Sequence, residues 1–459
     1  MFDPSIYSRR RQALRAGLNQ SWILIPGHDE APCNYPANTY PFRQNSNFLY
    51  FAGHSIENMA LLITPDDEIL FGHRPTMDDI VWTGPLPSLE ALGEAAGIKH
   101  VEDIGDLSGV LARLRGKSVP VHYLPPYRGE QVLKLGRLLG IPAEEVVRGA
   151  SGELMRVVAE LRLVKEDGEV AEIERALEAS LAMYRAAAGA IRPGALEYDV
   201  MAAMSDAARR LGFTKSFIPI ITIHGEVLHN HSYHHPLPAG GLILLDSGAE
   251  SPEGYASDIT RTFPVSGVFS GPQRDIYQVV LAAQLEAIRL VRPEVPFVDV
   301  HLAAARVIAA GLKDLGLMAG DTDEAVAAGA HALFFPHGLG HMLGLDVHDM
   351  EDLGDVVGYG GEGLRSRQFG LSALRMNRPL KPGYVFTIEP GVYFIPALIE
   401  KWRRERLHES FINYARVEEF LSLGGIRIED DLLVTGQGGR VLGPPIPKRV
   451  DEVEALLAH

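Results

Sequence analysis

Two folds in succession are written into this chain: a small α/β domain over residues 1–160 and a larger α+β domain over residues 161–459. Three observations predict them. The 459 residues exceed what one hydrophobic core usually serves. Short apolar runs alternate with amphipathic stretches through the first part, the pattern of an α/β layer. A long helical pattern, Glu153–Ala190, then separates that alternation from a region of apolar strands and longer helices.

Composition narrows the function classes. Hydrophobic residues make up 46% and charged residues 22%, as expected of a globular protein. A net charge of −16, from 43 basic and 59 acidic residues, argues against nucleic acid or an anionic membrane as the main partner. Cys33 is the only cysteine, so an internal disulfide is excluded and a thiolate metal site is not expected. No run is apolar enough to span a membrane, and the opening MFDPSIYSRRRQ lacks the apolar core of a signal peptide. A cytoplasmic protein is expected.

In the first domain, residues 6–17 pattern as a short arginine-rich helix. Ser21–Pro26, Asn58–Thr64 and Glu68–Phe71 are apolar runs of strand length. The intervening CNYPANTYPFRQNSNFLYF carries the prolines and asparagines of loops. Ser88–Ala96 (helix), His100–Val101 (strand), Asp106–Arg115 (helix), Val119–Tyr123 (strand) and Gly129–Leu139 (helix) continue the alternation. No catalytic cluster falls here; this domain is expected to wall a site and to make subunit contacts.

Glu153–Ala190, with the domain boundary near its start, reads as one helix closed by Pro193-Gly194; in the second domain Glu197–Leu211 reads as another and Phe217–Ile223 as a strand. The loop that follows holds His224, His229, His231, His234 and His235, of which His231, His234 and His235 read as solvated. Gly241–Leu245 is an apolar strand ending in Asp246, and Tyr255–Val265 is a strand containing Asp258. A hairpin mirrored on residue 252, inside the turn SPEG, sets the two aspartates face to face. Like charges directly opposite are destabilising. A bound cation removes the conflict, and so does protonation of one partner.

Residues 272–292 and 297–315 read as two ordinary amphipathic helices. The stretch FFPHGLGHMLGLDVHDME places His337, His341 and His348 among glycines, which oppose a helix and suit a tight, buried backbone that presents imidazoles to a cavity. A Gly- and Arg-rich insertion fills residues 351–380. Tyr384–Ile388 delivers Glu389 immediately before Pro390-Gly391, and Arg403–Glu419 is a polar helical stretch. In Gly425–Val434, Ile426 and Ile428 alternate with Arg427 and Glu429, so the latter pair shares one face of a strand.

Four carboxylates thus sit in apolar strand contexts: Asp246, Asp258, Glu389 and Glu429. Burying even one without compensation costs several kcal/mol. Two divalent cations resolve this, and a carboxylate-rich set with one histidine suits Mn²⁺, Co²⁺ or Fe²⁺. Two such ions about 3.5–4 Å apart lower the pKa of a shared water and polarise a carbonyl, which implies hydrolysis of an amide or similar bond.

The motifs LLDSGAE, SDITRTFP, HGLGHMLGLDVHD, TIEPGVYF and GIRIEDD, in this order, resemble the metal motifs of the aminopeptidase P and prolidase family. RRRQAL and YPFRQNSNFLYFAG resemble the N-terminal domain of the same enzymes, so the likeness covers nearly the whole chain. It implies an aminopeptidase P-type (creatinase-like) N-terminal domain over 1–160 and a pita-bread metallopeptidase domain over 161–459. It further implies two divalent ions per chain, Mn²⁺ first, with Co²⁺, Fe²⁺ or Zn²⁺ as alternatives. Carried over residue by residue, Asp246 would bind one ion, His341 and Glu389 the other, and Asp258 and Glu429 both. His229 and His348 match the substrate and transition-state histidines, His337 another in the pocket, and Arg427 the arginine that pairs with a ligand carboxylate. Glu389 would also carry a proton.

The insertion ends in SALRMNRPL and runs into KPG, which resembles the prolidase segment whose arginine, here Arg375, grips the carboxylate of a dipeptide. A solvated surface arginine is the alternative there. The implied activity is hydrolysis of the bond between an N-terminal residue and proline, as an Xaa-Pro dipeptidase (prolidase). The alternative is an Xaa-Pro aminopeptidase on longer peptides, and more remotely a non-catalytic binding protein of the same fold. Expected partners are proline-containing dipeptides or short peptides, with no nucleic acid and no membrane. A homo-oligomer, dimer or higher, is expected from a first domain without chemistry and its polar loop Cys33–Asn47.

Overall fold

A computed structural model of the chain describes residues 1–18, 21–360 and 365–458. Its contacts divide the chain into two compact units: Met1–Arg162 with Met350–Val357, and Leu163–Asp349 with Gly358 onward.

The first unit is built on β1 (Trp22–Pro26), β2 (Ala60–Ile63), β3 (Glu68–Gly72), β4 (His100–Asp103) and β5 (Val121–His122). They form one sheet in the order β4-β3-β2-β1-β5. The pairs β1/β2 and β2/β3 are antiparallel, the latter as a hairpin, and the outer pairs β3/β4 and β1/β5 are parallel, reached through helices. Leu24, Leu62 and Phe71 from the sheet meet Leu107, Leu111 and Leu135 from its helices in one core. Each such side chain contributes about 1.5–3 kcal/mol by leaving water.

The loop read from CNYPANTYPFRQNSNFLYF gives way at its end to a helix, Ser46–Ala52, buried throughout. Asn45 starts it by accepting from the amides of Asn47 and Phe48, and Gly53 stops it at φ +76°. The asparagines that suggested a loop include its cap. A second unassigned helix, Met77–Thr83, is started by a reciprocal Thr76–Asp79 capping box.

The second unit opens with helices Asp167–Ala190 and Glu197–Arg210. The single helix expected over Glu153–Ala190 is broken: Gly152–Leu163 ends, and a new helix starts at Asp167. Glu166 caps that start with Glu169, while the Lys165 amide leaves the helical ladder for Gly383 O at 2.8 Å. Next come β6 (Ile220–Thr222), β7 (Leu242–Ser247) and β8 (Ile259–Pro264), antiparallel in the order β8-β7-β6. Helices Gly271–Leu290 and Phe297–Asp314 follow. β9 (Val385–Ile388), β10 (Gly391–Tyr393), β11 (Gly425–Arg427), β12 (Asp430–Val434) and β13 (Gly439–Val441) complete the unit. β9 and β13 flank β12, and β10 pairs with β11. The polar stretch Arg403–Glu419 is not one helix. Pro396–Arg404 and Tyr414–Glu418 are separated by turns in which Arg406 and His408 both take φ +53°. Within the Gly- and Arg-rich insertion, residues 361–364 lie outside the described residues.

The β7–β8 register corrects one expectation. Asp246 pairs with Thr260, not with Asp258, and Ser247 pairs with Ile259. The turn is centred one residue later than SPEG suggests: the Ser251 amide donates to Tyr255 O at 2.8 Å, and Gly254 takes φ +87°. Asp258 therefore lies two residues before the partner of Asp246, diagonal to it. A two-residue displacement keeps both side chains on one face.

Candidate active site

All ten residues singled out in the sequence line one cavity of about 440 Å³ in the second unit: His229, Asp246, Asp258, His337, His341, His348, Arg375, Glu389, Arg427 and Glu429. Strand geometry gathers the acids. β9 and β12 pair Ile388 with Asp430, and β10 and β11 pair Gly391 with Arg427. The same register carried between them sets Glu389 opposite Glu429. The Glu429 amide donates to Thr260 O at 3.1 Å, which joins this ladder to the strand that follows Asp258. The Glu389 amide donates to Leu339 O at 2.8 Å, which joins it to the histidine loop. Gly340 makes that approach possible, since a Cβ there would lie 1.9 Å from Thr387 O.

The acids are packed closer than unneutralised charge allows. Asp258 and Glu429 are buried, with 5% and 1% exposure. Burial, and then neighbouring carboxylates, raise both well above the usual carboxylate range. Burial pushes Glu389 up to about 8 against the pull of Arg427. One oxygen of Asp246 (Oδ1) and one of Asp258 (Oδ1) are buried without a hydrogen-bond partner. His341 Nδ1 sits 3.1 Å from Met342 O, which assigns the proton to Nδ1 and leaves the Nε2 lone pair free. That Nε2 faces Asp258 Oδ2 at 3.4 Å and Glu389 Oε1 at 3.6 Å. One donor atom each from Asp258, His341 and Glu429 falls within 4.8 Å of the others. Orphaned carboxylate oxygens, an imidazole lone pair aimed among them and a second nitrogen tied to a carbonyl fit a divalent-cation centre.

Arg427 brings positive charge to the cluster. Arg427, on β11, places Nη2 at 2.5 Å from Asp246 Oδ2 and Nη1 at 2.9 Å from the Tyr393 hydroxyl. Its Nε donates to Thr260 Oγ1 at 3.2 Å, and that hydroxyl donates to Glu429 Oε2 at 2.7 Å. Tyr393 in turn bonds His337 Nε2 at 2.9 Å, while His337 Nδ1 lies 2.8 Å from Gly338 O. With the proton on Nδ1, the order of donation runs Arg427 to Tyr393 to His337.

Two of the imidazoles around the cavity are held neutral. Burial, and then Arg427, lowers His337 to about 3. Burial, and then Arg375, lowers His348 to about 4. The His348 ring lies 4.0 Å from that of His341. His229 is exposed at the mouth. Arg375 is half-buried in the wall, its guanidinium lowered by burial against the pull of Glu389. Of the histidines read as solvated, His231 lines the cavity. His235 Nδ1 instead meets Glu197 Oε2 at 3.1 Å, and His234 packs on Tyr198.

Sequence reading missed four contributors. Asp431 is fully buried, and its Oδ2 accepts from the Asp258 amide at 3.0 Å. The alternation that picked out Arg427 and Glu429 runs on to it. Tyr393, Thr260 and Thr387 carry hydrogen bonds that only the folded register reveals.

The family model described as metallopeptidase family M24 matches residues 171–436, and that described as aminopeptidase P, N-terminal domain, matches residues 7–122. The Xaa-Pro aminopeptidase of Escherichia coli (strain K12) is 33% identical over 98% of this chain and 97% of its own length. A probable Xaa-Pro aminopeptidase of Verticillium alfalfae is 32% identical over 91% and 88%. Among solved structures, the aminopeptidase PepP of Pseudomonas aeruginosa is similar with a TM-score of 0.82 at 29% identity, covering 100% of this chain and 98% of that one. Zinc-substituted E. coli aminopeptidase P in complex with product gives a TM-score of 0.81 at 31% identity, covering 99% and 98%.

Proposed function

The chain belongs to metallopeptidase family M24 and carries an aminopeptidase P N-terminal domain, and on that premise we propose that it is an Xaa-Pro aminopeptidase. It would release the N-terminal residue from peptides whose second residue is proline. Membership in a peptidase family sets aside the non-catalytic binding protein. The names of the similar proteins favour the aminopeptidase over the dipeptidase suggested by the insertion. The observation that carries the reading is the buried cluster of Asp246, Asp258, His341, Glu389 and Glu429, with oxygens that lack a partner.

Those five side chains would hold two divalent ions, Mn²⁺ before Co²⁺, Fe²⁺ or Zn²⁺. Bound there, the ions would supply an activated water and a polarised scissile carbonyl. The rest is the work of the chain. Arg427 fixes the Asp246 carboxylate and, through Tyr393, the ring of His337. His348 and His229, which line the cavity, would donate hydrogen bonds to the substrate and to the oxygen on which charge develops. Glu389, at the end of β9, would move the proton that the departing prolyl nitrogen requires.

A second reading concerns substrate length. Arg375 lies in the cavity wall and not on the open surface, which supports a contact with a substrate carboxylate. Such a contact would let Xaa-Pro dipeptides serve as substrates as well. Comparing kcat/KM for Xaa-Pro dipeptides and Xaa-Pro-Yaa tripeptides, in wild type and Arg375→Ala, tests both. Tripeptides turned over at least as well as dipeptides support the aminopeptidase; a dipeptide preference of roughly ten- to a hundredfold, lost in Arg375→Ala, restores the dipeptidase.

The domain division at 160/161 and a homo-oligomer of at least two chains are part of the same proposal. A cytoplasmic location is also proposed, in keeping with a single, exposed Cys33. Among the described residues no helix is long and apolar enough to cross a membrane.

A further inference from the structure

The residue after His348 is Asp349, and its charge is neutralised by a lysine that does not line the cavity. Lys165 Nζ donates to Asp349 Oδ2 at 2.8 Å, with both side chains 1% exposed. The two residues are 184 apart in sequence. Lys165 comes from the break between two helices, where its amide is held by Gly383 O at 2.8 Å.

The histidine loop is built around this pair. The Asp349 amide donates to Met342 O at 2.9 Å, which closes the segment 342–349 into a ring of backbone. Inside it the Asp346 amide donates to Asp349 Oδ1 at 3.4 Å, and the Gly344 amide to Asp346 O at 3.1 Å. Gly344 leaves the space: a Cβ there would lie 2.5 Å from Asp349 Oδ2 and 3.0 Å from Lys165 Cε. Outside it, Leu343 and Gly344 are tied to neighbouring segments by Leu343 N to Val385 O (3.0 Å) and Ala256 N to Gly344 O (2.8 Å). One end of the ring thus abuts His341 and the other carries Val347 and His348 into the cavity wall. A buried ion pair is a poor source of net stability, because two desolvation costs offset its attraction. It is a strong orienting device, since a buried charge tolerates only the geometry that satisfies it.

We propose that Lys165 and Asp349 are positioning residues that fix the 342–349 ring and thereby aim His348 at the reacting carbonyl. This rests on the peptidase reading above and adds to it two residues outside the cavity. A misplacement of about 1 Å at a reacting group can cost on the order of a hundredfold in rate.

The test uses the full-length, Mn²⁺-loaded protein as Lys165→Met, as the near-isosteric Asp349→Asn, and as both together. Lys165→Met strands a buried carboxylate and should lower the melting temperature; the neutral double variant should recover much of it. The proposal expects kcat to fall by about ten- to a hundredfold in all three while KM and bound metal stay near wild type. The independent readout is the imidazole NMR signals of His348, recorded on the same proteins loaded with diamagnetic Zn²⁺, which should shift or broaden relative to wild type in every variant. Recovery of kcat together with melting temperature in the double variant would make the pair merely structural and overturn the proposal. Loss of metal in Asp349→Asn, or unchanged His348 signals, would overturn it as well. If the wild type cleaves no Xaa-Pro peptide, the functional reading fails, and the His348 signals still decide whether the pair orients that ring.

Discussion

Removing divalent metal and raising the pH should expose the repulsion held in the carboxylate cluster. The unfolded chain ionises Glu389 near its ordinary 4.5, whereas the folded, metal-free chain holds its proton until about 8. Between these values the folded state binds more protons, so its stability falls as pH rises. Asp258 and Glu429 shift in the same direction and steepen the fall. Buried histidines act oppositely at lower pH: His28, His331 and His348 lie near 4, so folding gains stability as pH rises towards 6.5. The window that isolates the carboxylates is therefore about pH 6.5 to 8. Across those 1.5 units Glu389 alone accounts for a loss of up to about 2 kcal/mol, at about 1.36 kcal/mol per unit. Its 17% exposure makes that a ceiling. Urea midpoints measured in chelator and in saturating Mn²⁺ across this window give the answer. The chelated protein should weaken with pH, the metal-bound protein should not, and Glu389→Gln should flatten the chelated curve. A chelated protein equally stable at pH 6.5 and pH 8, or stabilised equally by metal at both, would refute the reasoning.

Other outcomes follow from the same geometry. Asp258→Ala and Glu429→Ala should lose most bound metal by elemental analysis, with Asp246→Ala losing less, if the first two each contact both ions. His229→Ala and His348→Ala should keep their metal and lose about 10²–10⁴-fold in kcat; loss of one metal equivalent would make either a ligand. Arg427→Met leaves Asp246 buried without its partner and should cost about 3–5 kcal/mol of metal-free stability, read from urea unfolding. Light scattering at micromolar concentration should give a mass of two chains or more, and a monomer mass would contradict the oligomer.

The acids were legible because charge in an apolar strand is anomalous on its face: Asp246 after LILL, Glu389 after VFTI and Glu429 between Ile428 and a second acid needed no structure to stand out. Their registration was less legible. The hairpin's centre depends on Gly254 taking a left-handed conformation, and a one-residue change in that turn moves the partner of Asp246 from Asp258 to Thr260. Tyr393 and Thr260 stayed hidden because each is an ordinary strand residue whose role comes from neighbours distant in sequence. Lys165 was hidden for a similar reason. It sits in a pattern that continues helical periodicity, and only the capping by Glu166 and the distant Asp349 explain why the helix stops. Ser46–Ala52 shows the converse, a helix whose capping asparagine reads as a loop marker.

The most direct test of the central claim is product analysis on a matched pair of peptides, Xaa-Pro-Yaa-Zaa and Xaa-Ala-Yaa-Zaa, with the Mn²⁺-loaded protein and after exhaustive chelation. The account predicts release of the free N-terminal residue and a peptide beginning with proline, from the first peptide alone and only with metal. Full activity after chelation, equal cleavage of the alanine peptide, or no cleavage by protein shown to hold its metal would contradict it.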